Sequence, residues 1–307
     1  MNSNNSANAM AMMIVAMLVL PGIDAIAKWL SDSMSSGQVT WSRFFFQIIF
    51  MAPLLLRTSG TWITPALPLH ALRGALIAVA TLFFFTGLKY LPIADAISIF
   101  FIEPLLVTLL SAVLLKEKVG WRRFSAIGIG FIGAVIIIRP TFAEVGWPVL
   151  LPVGAAVCFS FYILLTRKLV AVEDPIRLQF FAGVFGFIVM SGAMIFGTTQ
   201  QIDVITMVSP DFSQWQLLAL LGLIATGAHL LVAYAYKHAQ VGVLAPFQYI
   251  EIIGATVLGL IFFDDFPDPI TWLGVSIIVG SGIYVFHREA QLERRDRAEA
   301  IAQANLP

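Results

Sequence analysis

The sequence predicts an all-α polytopic membrane protein, ten transmembrane helices arranged as an inverted repeat of five plus five. Three observations predict it. Of the 307 residues, 59% are apolar or aromatic and only 12% are charged, where an ordinary globular domain carries about 25% charged residues. The apolar residues come in runs of the about 20 needed to cross a hydrocarbon core of roughly 30 Å. Finally, the few polar residues inside those runs recur at one fixed offset along the chain.

The runs are 10–31, 39–57, 69–89, 93–115, 121–139, 147–167, 176–197, 214–237, 242–263 and 270–287. A short segment, 1–9, precedes the first run and carries no Lys or Arg, and the run itself contains Pro21, Asp24 and Lys28. It therefore reads as a retained span and not as a cleaved signal peptide. Proline or paired charges punctuate the later runs, as in Tyr90-Leu91-Pro92 after the third and Lys116-Glu117-Lys118 after the fourth. No aqueous domain fits in the linkers, and the alternating strand pattern of an outer-membrane barrel is absent. After the tenth run, 288–307 reads as a charged, helical cytoplasmic tail.

Composition also excludes several function classes. Cys158 is the single cysteine, so no disulfide scaffold exists, and 18 basic residues balance 18 acidic ones, so no net charge points to nucleic acid. No phosphate-cradling GxxxxGK[ST], HExxH or GxSxG motif is present, and His70, His229, His238 and His287 lack metal-ligand spacing. These readings predict no ATP hydrolysis, no metal and no cofactor. Net charge conceals an asymmetry, however. With the N-terminus inside, 14 of the 18 bases fall on the cytoplasmic side, among them Arg57, Arg73, Lys116, Lys118, Arg177 and Lys237. Lys28, Arg43, Lys89 and Arg139 remain for the other side. The positive-inside rule then places both termini in the cytoplasm.

Shifting the chain by 148 residues superposes Lys89 on Lys237, Glu103 on Glu251, Glu117 on Asp265 and Arg139 on His287. The first half is 10–139 and the second 147–287. Five spans is an odd number, so the second half enters the membrane from the opposite side, and a binding site is expected near the midplane between the halves. Small residues at four-residue spacing, Ala126, Gly130 and Ala134 in the fifth run and Ser276 and Gly280 in the tenth, predict close helix packing.

An ionisable group inside a span costs about 2.5–3.5 kcal/mol by insertion scales and needs protein or water beside it. The candidates are Asp24, Lys28, Arg43, Glu103, His229 and Glu251. Asp24 and Lys28 lie four apart on one helical face and can pair with each other. Arg43 can reach the interface, reach Asp24, or bind a substrate carboxylate or phosphate. Glu103 and Glu251 sit too deep to extend to water, so each must be neutral, paired or exposed to an aqueous cavity. His229 reads as a helix-packing residue or a proton relay. Around Glu251, the run Phe247-Gln248-Tyr249 offers amide, hydroxyl and ring, and Trp41, Phe44, Phe45 and Gln47 of the second run could complete a pocket for a planar or aromatic ligand.

Ile102-Glu103-Pro104-Leu105 followed by Leu114-Leu115-Lys116-Glu117-Lys118 resembles the ten-span branch of the drug/metabolite transporter superfamily, with its paired EamA domains. Ala245-Pro246-Phe247-Gln248-Tyr249-Ile250-Glu251, the stretch from Phe262 to Asp268, and Arg43-Phe44-Phe45-Phe46 are similar to a subgroup containing S-adenosylmethionine uptake carriers and bacterial riboflavin carriers. Asp265 stands where the first half has Glu117, a conservative departure. The resemblance implies a secondary transporter of the bacterial inner membrane, a monomer or homodimer among lipids, driven by a proton or other gradient. Its small-molecule substrate would meet Glu103, Gln248, Tyr249 and Glu251, with Arg43 and an Asp24–Lys28 pair at an outer gate. Alternatives are an exporter of amino acids or drugs and, more remotely, an intramembrane enzyme or a channel.

Overall fold

The computed structural model describes residues 3–55, 66–114, 121–169, 173–238 and 241–304. Thirteen α-helices follow one another: α1 Ser3–Val19, α2 Pro21–Leu30, α3 Ser36–Leu55, α4 Leu67–Leu88, α5 Ile93–Phe100, α6 Glu103–Leu114, α7 Trp121–Val145, α8 Leu151–Leu169, α9 Pro175–Gln200, α10 Phe212–His238, α11 Val241–Gln248, α12 Ile250–Phe263 and α13 Pro269–Ala304. Short 3₁₀ turns sit at Trp147–Leu150 and Asp203–Ile205. No strand occurs among the described residues. The linker charges Arg57, Lys116, Glu117 and Lys118 lie outside the described residues.

These helices make the ten expected spans, because three spans are interrupted and each supplies two helices. Among the described residues nine are long and apolar enough to cross a membrane by length and composition. The tenth, α3, is less apolar because it carries Gln38, Arg43 and Gln47. One boundary differs from expectation. The fifth span does not stop at residue 139 but runs through Pro140 to Val145, since a membrane helix tolerates proline where neighbouring groups satisfy the freed backbone. The tenth helix continues without a break into the tail as far as Ala304.

The packing repeats with the halves exchanged. The fourth helix lies against α8 in the second half, and its counterpart α10 lies against α1 in the first. Likewise α4 packs on α9, and α10 on α3. The self-equivalent pairs α3 with α9 and α7 with α13 close the arrangement. This is the contact pattern of two inverted five-span units.

Small residues let α7 and α13 approach. A Cβ placed on Gly133 would stand 2.9 Å from the Gly274 carbonyl, so the two backbones nearly touch. Ala126, Gly130 and Ala134 are buried on this face, as expected. Ser276 and Gly280 are not: both are exposed, because the packed face of α13 follows Gly274, Ile278 and Ser281 instead.

Arg73, counted among the bases of the cytoplasmic side, is wholly buried. Its guanidinium donates to Thr166 Oγ1 at 2.7 Å, to the Leu178 carbonyl at 2.6 Å and to Tyr162 Oη at 2.9 Å, and it stacks over the Tyr162 ring. A planar fork of five N–H donors can be buried at this cost only because its hydrogen bonds are made.

Candidate functional site

Three spans are interrupted near mid-depth, and each interruption stands just before a carboxylate. The first breaks at Pro21, whose missing N–H cannot continue the helical ladder, and Asp24 falls in the first turn of α2. The fourth breaks at Phe101 and Ile102, where Ile102 N–H donates to Ile99 instead of one residue further back, and Glu103 opens α6. The ninth breaks at Tyr249, and Glu251 lies in the first turn of α12. The unpaired N–H groups of a helix start favour negative charge, so each half-helix suits the acid it carries.

Phe101 and Tyr249 occupy equivalent positions in the repeat, and their rings meet edge to face at 5.2 Å. The two breaks therefore touch across the axis relating the halves. Neither break was visible in the sequence, although the 148-residue offset maps Phe100 onto Gln248 and could have directed attention to Phe100.

Between the halves lies a cavity of about 200 Å³. Asp24, Glu103 and Glu251 line it, together with Arg43 and His229. Thr81, Tyr236 and Gln248 add neutral polar groups, and Phe84, Phe100, Phe101 and Phe159 supply much of the apolar wall. Arg43 is 5% exposed and sits over the Phe44 ring. Its Nη1 donates to Thr81 Oγ1, and its Nη2 lies 3.5 Å from His229 Nε2. His229 Nδ1 lies 2.8 Å from the Ala225 carbonyl, an arrangement that makes Nδ1 the donor and leaves the lone pair on Nε2 facing Arg43. Arg43 Nε has no hydrogen-bond partner among the described residues. Asp24 lies within electrostatic reach of Arg43, and Glu251 within reach of both Asp24 and Glu103.

A second cavity, of about 550 Å³, adjoins the first. Glu103, Phe159, Ile163, Tyr236 and Gln248 border both, forming a neck in which Gln248 Nε2 donates to Tyr236 Oη at 2.7 Å. Beyond the neck the second cavity runs past Thr166 to Glu173, Asp174 and Lys237, at the end of the bundle where α1 begins and α13 leaves. The opposite end is closed. There Lys28 Nζ lies 2.7 Å from Asp265 Oδ2 and donates to the Leu91 carbonyl at 2.9 Å, above a packed layer of Leu30, Leu88, Leu91 and Ile93. Gln38 holds the loop before α10 through two hydrogen bonds to Val208, of 2.7 and 2.9 Å.

The structure thus brings together six expected residues at the cavity: Asp24, Arg43, Glu103, His229, Gln248 and Glu251. The expected Asp24–Lys28 pair does not form. One helical turn separates them, but Asp24 faces the cavity while Lys28 is drawn to Asp265, at the closed end. Trp41 stands away from the cavity, its Nε1 donating to Ser191 Oγ at 2.9 Å and its ring stacked on Phe45. Gln47 donates to the Gln179 carbonyl at 2.9 Å in the α3–α9 interface. Tyr249 is buried between Phe101 and Gly282, and its hydroxyl has no partner among the described residues. Among the described residues no group of His, Cys, Asp and Glu could hold a metal ion.

Residues 7–139 and 146–286 each match the EamA-like transporter family. The chain belongs to that family. Among its relatives, an S-adenosylmethionine uptake transporter of Rickettsia bellii is 26% identical over 87% of this chain and 89% of its own. A riboflavin transporter of Rhizobium johnstonii is 25% identical over 92% of each chain, and one of Vibrio cholerae is 27% identical over 93% and 95%. A solved crystal structure, 21% identical, superposes with a TM-score of 0.64 over 91% of this chain and 97% of its own, which shows a shared fold. The family and these relatives are named as transporters. The EamA-like chain is accordingly a multi-pass membrane transporter of a small metabolite.

Proposed function

We propose that the chain is a gradient-driven carrier working by alternating access, with both termini cytoplasmic in a bacterial inner membrane. The observation that carries the reading is the central cavity, which sets three carboxylates against one arginine within phenylalanine walls. Such a lining suits a solute with positive charge, a carboxylate and a flat ring. S-adenosylmethionine, named for one group of relatives, has those groups: a sulfonium and an ammonium for the acids, a carboxylate for Arg43 and a purine for the rings. Riboflavin, named for the other group, carries a ring but no cation to set against the acids of the cavity.

With the termini inside, the second cavity leads to the cytoplasm, and the Lys28–Asp265 contact is the closed outer gate. The inverted halves supply the alternative state, in which the outer end opens and the inner neck closes. Glu251, between Asp24 and Glu103, is the preferred proton carrier, since three neighbouring carboxylates favour a proton or a cation among them.

Reconstituted protein loaded with unlabelled solute tests this by counterflow of radiolabelled S-adenosylmethionine or riboflavin, with and without a pH gradient. Saturable S-adenosylmethionine exchange is expected, with Glu251→Gln abolishing its response to pH. Exchange of riboflavin alone would reverse the substrate assignment. Unitary currents would replace the carrier by a channel.

A further inference from the structure

Arg139 has no place in the transport scheme. It lies on α7 within a span, it is exposed on the outside of the bundle, and its side chain makes no ion pair or hydrogen bond among the described residues. A charge at such a depth calls for a partner. Beside it runs a groove of about 670 Å³ formed by one face of α7 from Phe131 to Ala143, with Ile270 of α13 as its other wall. Ile132 and Val135 on this face are each 59% exposed. In water such a surface would be a liability, whereas in a bilayer it meets acyl chains.

The dimensions agree with one leaflet. Phe131 and Ala143 are twelve residue steps apart, roughly 18 Å at the α-helical rise of about 1.5 Å, against roughly 15 Å for half of a 30 Å hydrocarbon core. Phe131 lies near the middle of α7, and Arg139 is two turns nearer to its Val145 end. The apolar length of the groove is therefore at chain depth while the guanidinium can extend towards the headgroups. Glu144 and Asp268 are the acids closest in sequence to the groove's two walls, and neither comes within ion-pairing distance of Arg139.

We propose that this groove is a binding site for an anionic phospholipid, an acyl chain lying along α7 and the phosphate held by Arg139. An arginine fork matches phosphate oxygens in pairs, and a headgroup without a second, cationic group leaves the attraction uncancelled. Because α7 packs on α13 across the two halves, such a lipid would sit at a seam between them. The site is independent of which solute is carried.

Native mass spectrometry of the full chain, with dioleoylphosphatidylglycerol or dioleoylphosphatidylcholine added in turn, tests the assignment. The wild type is expected to retain the glycerol lipid over the choline lipid by roughly fivefold, the scale of one basic residue at an anionic surface. Arg139→Gln should bring the ratio to about one, and Arg139→Lys, a point charge without the fork, should keep only part of it. Ile132→Trp, which fills the groove, should lower retention of both lipids. Equal retention by the wild type, or an unchanged ratio in Arg139→Gln, would overturn the proposal, as would a dimer lost on that substitution, which would make the groove a contact between copies. Counterflow is not part of the readout, so a failed lipid site and a failed carrier are told apart.

Discussion

Asp211 closes the start of α10 with reciprocal hydrogen bonds: Gln214 N–H donates to Asp211 Oδ1 at 2.8 Å, and Asp211 N–H donates to Gln214 Oε1 at 2.9 Å. This capping box satisfies two orphan donors. The Gln214 N–H and the Ser213 hydroxyl hold the exposed Asp211 carboxyl below the usual carboxylate range. The sign follows from linkage: the lowered group adds stability above its unfolded pKa and loses it as pH falls through the lowered value. Protection of the amides in the first turn of α10, measured relative to their intrinsic exchange rate at each pH, is expected to fall on acidification, and Asp211→Ala should show weak protection at every pH. Arg73 is the opposite case, buried and fully engaged. Arg73→Met removes the donor of three hydrogen bonds and is expected to cost about 2–3 kcal/mol, read as a lower melting temperature of the purified protein; Arg73→Lys should recover little, having no fork. The sequence marked Arg73 only as a base near a span end, because nothing local tells a snorkelling arginine from one whose acceptors arrive from α8 and α9. Glu103 and Glu251 were legible for the converse reason. They are too short to reach water from mid-span, so depth alone implies a cavity or a partner.

At the scale of elements, the interrupted spans are the main addition. Pro21 gave a local sign of one break, but Phe101-Ile102 and Tyr249 look like ordinary members of apolar runs. Their breaks depend on the facing half, since Phe101 and Tyr249 pack on each other. The Lys28–Asp265 contact likewise joins α2 to the segment after α12, 237 residues away, so i, i+4 spacing could suggest only the wrong partner for Lys28. With side chains 18% and 28% exposed, the pair is expected to be worth about 1 kcal/mol, roughly a fivefold shift between closed and open outer ends. Asp265→Asn should therefore raise labelling of a cysteine introduced at Leu91 by about that factor, and the exchanged pair Lys28→Asp with Asp265→Lys should restore protection. Unchanged labelling in Asp265→Asn would mean that packing of Leu30, Leu88 and Ile93 closes this end without the ion pair.

For the whole molecule, the arrangement of bases predicts orientation and the cavities predict a state. Cys158 is the single natural cysteine, so a Cys158→Ser background permits site-directed labelling. Asp174→Cys, at the mouth of the second cavity, is expected to react only from the cytoplasmic side in vesicles of known orientation. Asp203→Cys, between α9 and α10, should react only from the other side. The reverse pattern would invert the topology and turn the observed opening outward.

Composition and the spacing of apolar runs determined the membrane class and the ten spans, because the bilayer imposes one length on every crossing helix whatever its neighbours. The 148-residue offset determined the two halves and paired Glu103 with Glu251, since polar residues are too costly inside spans to recur by chance. Tertiary structure alone decided which polar groups meet. It set Asp24 and Arg43 on one cavity, paired Lys28 with Asp265, and turned Trp41 and Gln47 into interfaces between α3 and α9. The physical reason is that a span's sequence fixes its depth in the membrane but not its rotation. Rotation is set by the helices packed around it, and it determines whether a side chain faces the cavity, a neighbour or lipid.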